Sequence, residues 1–224
     1  MGNTMIAADL HRIVSDAILF ASKDTTMPCL CVARLEVTSA GLIAVATDRF
    51  SLGIARADYD GEAFTASFSR GDLVNLLKVA KTAKRDESWR RVELEIERDQ
   101  QFESVKAITF TFTDGGAMTL RAQDYEFPKY RQLFPSAEQV DDASGLVHVG
   151  VNPALFARFD KVSGSAAAHV AFTAGNRPIV VRKGPDFLGL LMPTRLGDLE
   201  TSAHVRPDWL DAGAPLPKVS LSKA

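Results

Sequence analysis

The chain has 224 residues, 46% of them hydrophobic and 24% charged, with a formal net charge of −2. That is an ordinary globular composition, sufficient for a sizeable core in one large domain or two small ones. A balance this close to neutral excludes a protein that grips nucleic acid by overall positive charge, so any phosphate contact must come from local clusters of Lys and Arg.

Residues 6–21 carry apolar side chains at helical spacing (Ile6, Leu10, Ile13, Val14, Ala17, Ile18) and predict an amphipathic helix. Three strand-like runs follow, Leu30–Val37, Leu42–Thr47 and Phe50–Ala57, the first two joined by a turn at Ser39-Ala40-Gly41. A second pass of the same pattern opens with a short strand, Phe64–Phe68. Ser69 is then placed to cap a helix with an apolar stripe of Leu73, Leu76, Leu77 and Ala80. Strands at Arg91–Glu97, Ala107–Thr113 and Met118–Ala122 complete it, with a hairpin turn at Asp114-Gly115-Gly116. The third pass runs from a strand at Leu146–Val151 into a helix started by Asn152-Pro153, with Leu155, Phe156, Phe159 and Val162 on its apolar face. Strands at Val170–Thr173, Pro178–Arg182 and Phe187–Met192 close it.

The chain therefore reads as three β-α-β-β-β-like units, the leading strand of the first being short or merged into residues 2–6. The acidic, polar stretch Ser136–Gly145 is the best domain boundary, and beyond Leu196 the composition predicts an extended or disordered tail.

No apolar run approaches the ~18 residues of a membrane span and no signal peptide opens the sequence, so the chain reads as cytoplasmic, without a membrane partner. Cys29 and Cys31, placed on one face of a strand, are too close for an unstrained disulfide and read as reduced thiols, at least one of them buried. The histidines are scattered at 11, 148, 169 and 204, so no metal site is expected. Asp58-Tyr59-Asp60-Gly61-Glu62 lacks the later ligands of a calcium loop and reads as a solvated turn. No clustered acid, base and nucleophile suggests an enzyme, and no cofactor is implied.

Three segments stand out: Ala46-Thr47-Asp48-Arg49-Phe50-Ser51-Leu52, Glu126-Phe127-Pro128-Lys129-Tyr130-Arg131-Gln132-Leu133-Phe134-Pro135 and Leu190-Leu191-Met192-Pro193-Thr194-Arg195-Leu196. Together they resemble the segments that build the peptide-binding pocket of the bacterial DNA polymerase III β subunit, the sliding clamp, over residues 5–196. The resemblance implies an α+β DNA clamp fold, with repeated units whose helices line a ring and whose antiparallel sheets lie outside. It implies a complete clamp domain over 1–137, an abbreviated second domain over 138–196 and a tail over 197–224. The unit that should precede residue 146 is missing, which suits an abbreviated member of the kind a phage encodes.

By the same resemblance Leu30, Thr47, Arg49, Leu52, Pro128, Leu133, Leu190, Met192 and Pro193 form a groove for linear peptides of a DNA polymerase and a clamp loader. Lys78, Lys81 and Arg85 fall at i, i+3 and i+7 on the second helix, with Lys84 beside them, off its apolar stripe. With Arg12, Arg158 and Lys161 they would face double-stranded DNA through phosphates alone, without reading its sequence. The implied activity is that of a processivity factor, in a homo-oligomeric ring of four three-unit chains, or three if a fourth unit is present. Two other readings stand beside it: a clamp-like protein that binds replication peptides without encircling DNA, and an enzyme on an unrelated α+β fold.

Overall fold

A computed structural model describes residues 2–134, 149–172 and 177–194. Eleven strands and three α-helices are laid out among them, with short 3-10 turns between. The first unit comprises β1 (Thr4–Ile6), α1 (Ala7–Ile18), β2 (Val32–Thr38), β3 (Gly41–Thr47) and β4 (Ser51–Ala57). The second has β5 (Thr65–Ser69), α2 (Arg70–Ala80), β6 (Arg91–Arg98), β7 (Val105–Phe112) and β8 (Ala117–Arg121). The third has α3 (Pro153–Phe156), β9 (His169–Ala171), β10 (Ile179–Arg182) and β11 (Phe187–Leu191).

The strands form two antiparallel sheets. One has the order β1-β6-β7-β8, so the chain's first strand joins the second unit's sheet. The other runs β5-β2-β3-β4-β11-β10-β9, so the third unit extends the first unit's sheet through the β4–β11 pair. In β6 the buried residues Val92 and Leu94 alternate with exposed Arg91, Glu93 and Glu95, as a half-buried strand requires. β3 differs, because both of its faces are covered and it reads as one apolar run.

α1 and α2 pack against each other and against the sheets. The predicted stripe of α1 is buried from Leu10 to Ile18, over a sheet face kept shallow by Ala33, Ala44, Ala46, Gly53 and Ala55. Ser69 caps α2 as predicted, its Oγ accepting from the Asp72 N–H.

Three expectations are corrected. First, α2 stops at Ala80, so Lys81 is its C-cap residue and Lys84 and Arg85 lie in a separate 3-10 turn rather than on the helix. The cause is Arg90, buried and paired with Asp114 at 3.0 Å, whose guanidinium donates to the carbonyls of Val79 and Ala80 at the helix end.

Second, the third helix is only four residues long. Asn152 caps it as expected, but Phe159–Lys161 form a 3-10 turn, and Phe156 is exposed while Phe159 and Val162 are buried. The buried amine of Lys183 donates to the carbonyls of Phe159, Asp160 and Val162, and buried Asp16 of α1 binds the amide and hydroxyl of Ser163. Those bonds replace the ones a continuing helix would make.

Third, Cys29 and Cys31 lie in and just after a 3-10 turn (Pro28–Leu30) rather than on a strand. Both are half-buried, and the Cys31 thiol donates to the Asp24 carbonyl. Residues 149–151 contribute an isolated bridge from Gly150 to Thr194 in place of the expected strand end. The remainder of that strand, the 136–145 linker and the tail beyond 194 lie outside the described residues. No helix among the described residues is long and apolar enough to cross a membrane.

Candidate peptide-binding groove

The outer face of the seven-stranded sheet, turned away from α1, carries a second apolar cluster of Val32, Val45, Leu52, Phe127, Tyr130 and Leu190. Each of the three singled-out segments contributes to it. β4 pairs with β11 so that Leu52 stands opposite Leu190.

The turn joining β3 to β4 is bound tightly from within. One oxygen of Asp48 accepts from the amides of Phe50 and Ser51 and from the Ser51 hydroxyl, while Thr47 Oγ1 donates to the Ser51 carbonyl. These bonds hold Arg49 at φ 76°, a left-handed conformation that costs an L-residue roughly 1–2 kcal/mol. The other Asp48 oxygen is bound by Arg158, which also reaches Ser51. The Met192 amide donates to the Phe50 carbonyl at 2.8 Å, so the end of the third unit is tied to this turn.

Residues 123–134 cross the outer face and pin the third wall. The Gln123 amide bonds to the Ser67 carbonyl, the Arg34 guanidinium lies 4.8 Å from the centre of the Phe127 ring, and Glu36 accepts from both the Tyr130 hydroxyl and Arg131. With Phe127 and Tyr130 buried, the large side chains left exposed around the cluster are Phe50 (54%), Leu133 (46%) and Met192 (39%), one from each segment. Three large apolar side chains thus stand open to solvent over a well-packed floor.

Burial, reinforced by the Glu36 carboxylate, pushes the Tyr130 phenol up to about 12, and burial does the same to Tyr59. A raised folded-state pKa means that the stabilisation is complete below the unfolded value of about 10 and is lost as pH rises from there through about 12. An alkaline titration followed by phenolate absorbance is therefore expected to show Tyr59 and Tyr130 ionising near 12, together with loss of structure. Ionisation of both near 10 in the folded protein would contradict the burial of these rings.

The described fold superposes on solved structures over most of its length. A DNA polymerase sliding clamp from Bacillus subtilis superposes with a TM-score of 0.69 at 17% identity, covering 88% of this chain and 65% of that one. The fold is that of the bacterial β sliding clamp. The polymerase III β subunit of Pseudomonas aeruginosa matches similarly, with a TM-score of 0.70 at 15% identity over 88% of this chain and 66% of that one. In sequence, a β sliding clamp of Micrococcus luteus is 27% identical over 187 residues, 82% of this chain and 56% of that protein. The chain thus spans little more than half the length of that curated relative. No family model matches it.

Within the clamp fold, Thr47, Arg49 and Leu52 come together at the β3–β4 turn, Leu190, Met192 and Pro193 run beside it, and Pro128 and Leu133 sit on the crossing segment. Leu52 and Leu190 are floor; Arg49, Leu133 and Met192 are exposed. Leu30 is buried in the turn before β2, two residues ahead of the floor residue Val32.

The sequence reading missed Val32, Val45, Phe127 and Tyr130 as floor, Phe50 as rim, and Asp48 and Glu36 as the carboxylates that hold two of the walls. Phe127 and Tyr130 lay inside a quoted segment, and their aromatic character beside Pro128 was the available signal. Glu36 offered none.

Of the seven basic residues, Lys78, Lys81, Lys84, Arg85 and Lys161 are exposed. Arg12 instead donates to the Arg56 carbonyl and pairs with Asp9, and Arg158 is bound to Asp48 and Ser51.

Proposed function

We propose that this chain acts as a β-type sliding clamp, a processivity factor that performs no chemistry itself. It surrounds duplex DNA without reading sequence and holds a replicative polymerase, and its clamp loader, by linear peptides in the groove. The observation that carries the reading is the convergence of residues 47–52, 127–134 and 190–193 on one apolar cluster with exposed large side chains around it. Leu, Met and aromatic side chains of this kind re-pack around different partners. Lys78, Lys81, Lys84, Arg85 and Lys161 supply diffuse phosphate attraction, which permits sliding. The division into a complete domain (1–137), an abbreviated one (138–196) and a tail belongs to this proposal, as does a cytoplasmic location.

A ring requires several copies, and four chains is the stoichiometry expected from three units each, or three chains if each carries a fourth unit. The short α3 favours a second reading, because the third unit then brings no full helix to line a channel. In that case the protein is a peptide-binding module that does not encircle DNA. Light scattering across a concentration range, followed by retention on nicked circular against linearised DNA, separates them. A discrete trimer or tetramer that stays on circles and runs off linear ends supports the clamp. A persistent monomer with peptide affinity but no topological retention leaves only the module.

A further inference from the structure

The backbone leaves the described fold at the groove itself. The Met192 amide is bound to the Phe50 carbonyl and the Thr194 amide to the Gly150 carbonyl at 2.9 Å, so the last described residues are anchored beside exposed Phe50 and Met192. Residues 195–224 continue from that point and lie outside the described residues. Their side chains are therefore tethered next to the groove, and a short tether presents what it carries at a millimolar effective concentration.

Within those residues, Asp208-Trp209-Leu210-Asp211 has the composition of a groove ligand. Trp209 and Leu210 are the one adjacent pair of large apolar side chains after Thr194; the other leucines and valines stand singly between polar residues, glycine or prolines. Trp is the side chain most often found anchoring a peptide in an apolar site, because it buries the largest area. About 15 residues separate Thr194 from Trp209, and a flexible linker of that length spans about 20 Å on average, enough to return to the rim.

Charge points the same way. On the segments that frame the groove, Arg49, Lys129 and Arg131 are exposed. Arg131 is engaged by Glu36, but Arg49 lies over the Phe50 ring, and neither Arg49 nor Lys129 forms an ion pair among the described residues. Of the carboxylates on the same segments Asp48 is taken by Arg158, which leaves Glu126. The rim is thus net positive, and the Trp209-Leu210 pair arrives between two aspartates.

We infer that Asp208-Trp209-Leu210-Asp211 docks in the chain's own groove, with Trp209 and Leu210 against Phe50, Leu133 and Met192 and the aspartates near Arg49 and Lys129. The tail then shields the groove, and a partner peptide enters by displacing it. The inference rests on the reading of this face as a polypeptide-binding groove, and adds a regulator carried by the same chain.

The test reads Trp209 in the full chain. The sequence has two tryptophans, so Trp89→Phe leaves Trp209 as the sole indole. Its emission is expected to be blue-shifted and poorly quenched by acrylamide at every protein concentration, and to become that of free tryptophan when Leu133→Ala and Met192→Ala are added. The second readout is the affinity of a labelled synthetic peptide with the sequence of residues 204–214. A groove covered about nine-tenths of the time admits a competitor about tenfold more weakly, so Trp209→Ala with Leu210→Ala should bind that peptide about tenfold more tightly than the wild type does. Asp208→Asn with Asp211→Asn keeps the apolar pair and should gain roughly threefold at low salt, less as salt rises.

A solvated Trp209, a shielded one indifferent to the Leu133 and Met192 changes, or equal peptide affinity in the wild type and both tail variants overturns the docking. If a polymerase-derived peptide still binds and loses affinity in the groove variant, the groove reading survives that failure. Shielding that grows with protein concentration overturns the chain's own tail as occupant in favour of a second copy. Shielding released by the groove variant, in a protein that binds no polymerase-derived peptide, supports the docking and removes the partner-peptide reading instead.

Discussion

A chain carrying Leu133→Ala together with Met192→Ala is expected to lose affinity for a polymerase-derived linear peptide by roughly a hundredfold, with its unfolding temperature and assembly state unchanged. Both side chains are exposed, at 46% and 39%, so shortening them removes little from the folded core, within about 0.5 kcal/mol. A peptide covering them would bury them fully, and truncating such anchors costs roughly 2 kcal/mol each, though not additively. Floor residues cannot serve the same purpose. Leu52 and Leu190 are 2% and 3% exposed, and alanine there is expected to cost about 2–5 kcal/mol of fold stability. Loss of binding would then report unfolding as much as lost contact. Peptide affinity within a few-fold of wild type in the double variant would remove the groove from this face, whatever the fold.

How far this site could be read from the residues depended on where the decisive contacts come from. β6 and β7 declared themselves because one face of each is wet: Val92 and Leu94, then Ile108, Phe110 and Phe112, alternate with polar neighbours. β3 could be found as a strand, but nothing in Gly-Leu-Ile-Ala-Val-Ala-Thr says which face holds α1 and which holds the groove. The alanines give the answer only once Phe20 and α1 are seen lying on them.

The misjudged helix ends share one cause. The basic run after Ala80 keeps a helical spacing, yet Arg90 is ten residues from the carbonyl it takes at Ala80. The third helix was broken by Lys183 and Asp16, which lie 21 residues and 147 residues from the groups they bind. Local periodicity carries no trace of such partners. That the three segments belong together was suggested by family resemblance, and their residues do share one apolar cluster, whereas the exposure of Leu133 beside buried Tyr130 could only be seen in the fold.

Attachment of the third unit is what completes the proposed groove, since Leu190 and Met192 reach the apolar cluster by way of β11. Besides the sheet pairing, the contact consists of Arg56 with Asp186, Asp16 with Ser163, Arg158 with Asp48, and an aromatic group of Phe20, Phe159 and Phe187. The ion pairs are partly solvated and are worth little individually. The aromatic group is different. Its members are at most 3% exposed, and its ring centres lie 5.0 to 6.3 Å apart, so apolar burial and ring packing carry the seam.

Gly189→Ala is accordingly expected to be among the most damaging single-methyl changes in the chain. Gly189 pairs with Gly53 across the β4–β11 seam, and the rings of Phe159 and Phe20 lie directly over the two glycines. A Cβ on Gly189 would stand well inside contact with Phe159 and 3.0 Å from the Leu52 carbonyl; one on Gly53 would run into Phe20. Neither ring has open space to retreat into, because each is wedged against the other and against Phe187.

Overpacking of this kind costs about 1–3 kcal/mol and more where backbone is also struck, so roughly 2–4 kcal/mol is expected, or about 5–10 °C in Tm. The effect should reach the groove as well, since Leu190 and Met192 follow directly along the displaced strand. Peptide affinity and stability should thus fall together, unlike the result for Leu133 and Met192. Adding Phe159→Leu to Gly189→Ala makes room for the new methyl and should recover part of the loss, although Phe159→Leu alone destabilises. Thermal unfolding of the four proteins in that cycle decides it. A Gly189→Ala chain that melts with the wild type, or a double variant no better than the sum of its parts, would mean that the seam is looser than the packing of these three rings requires.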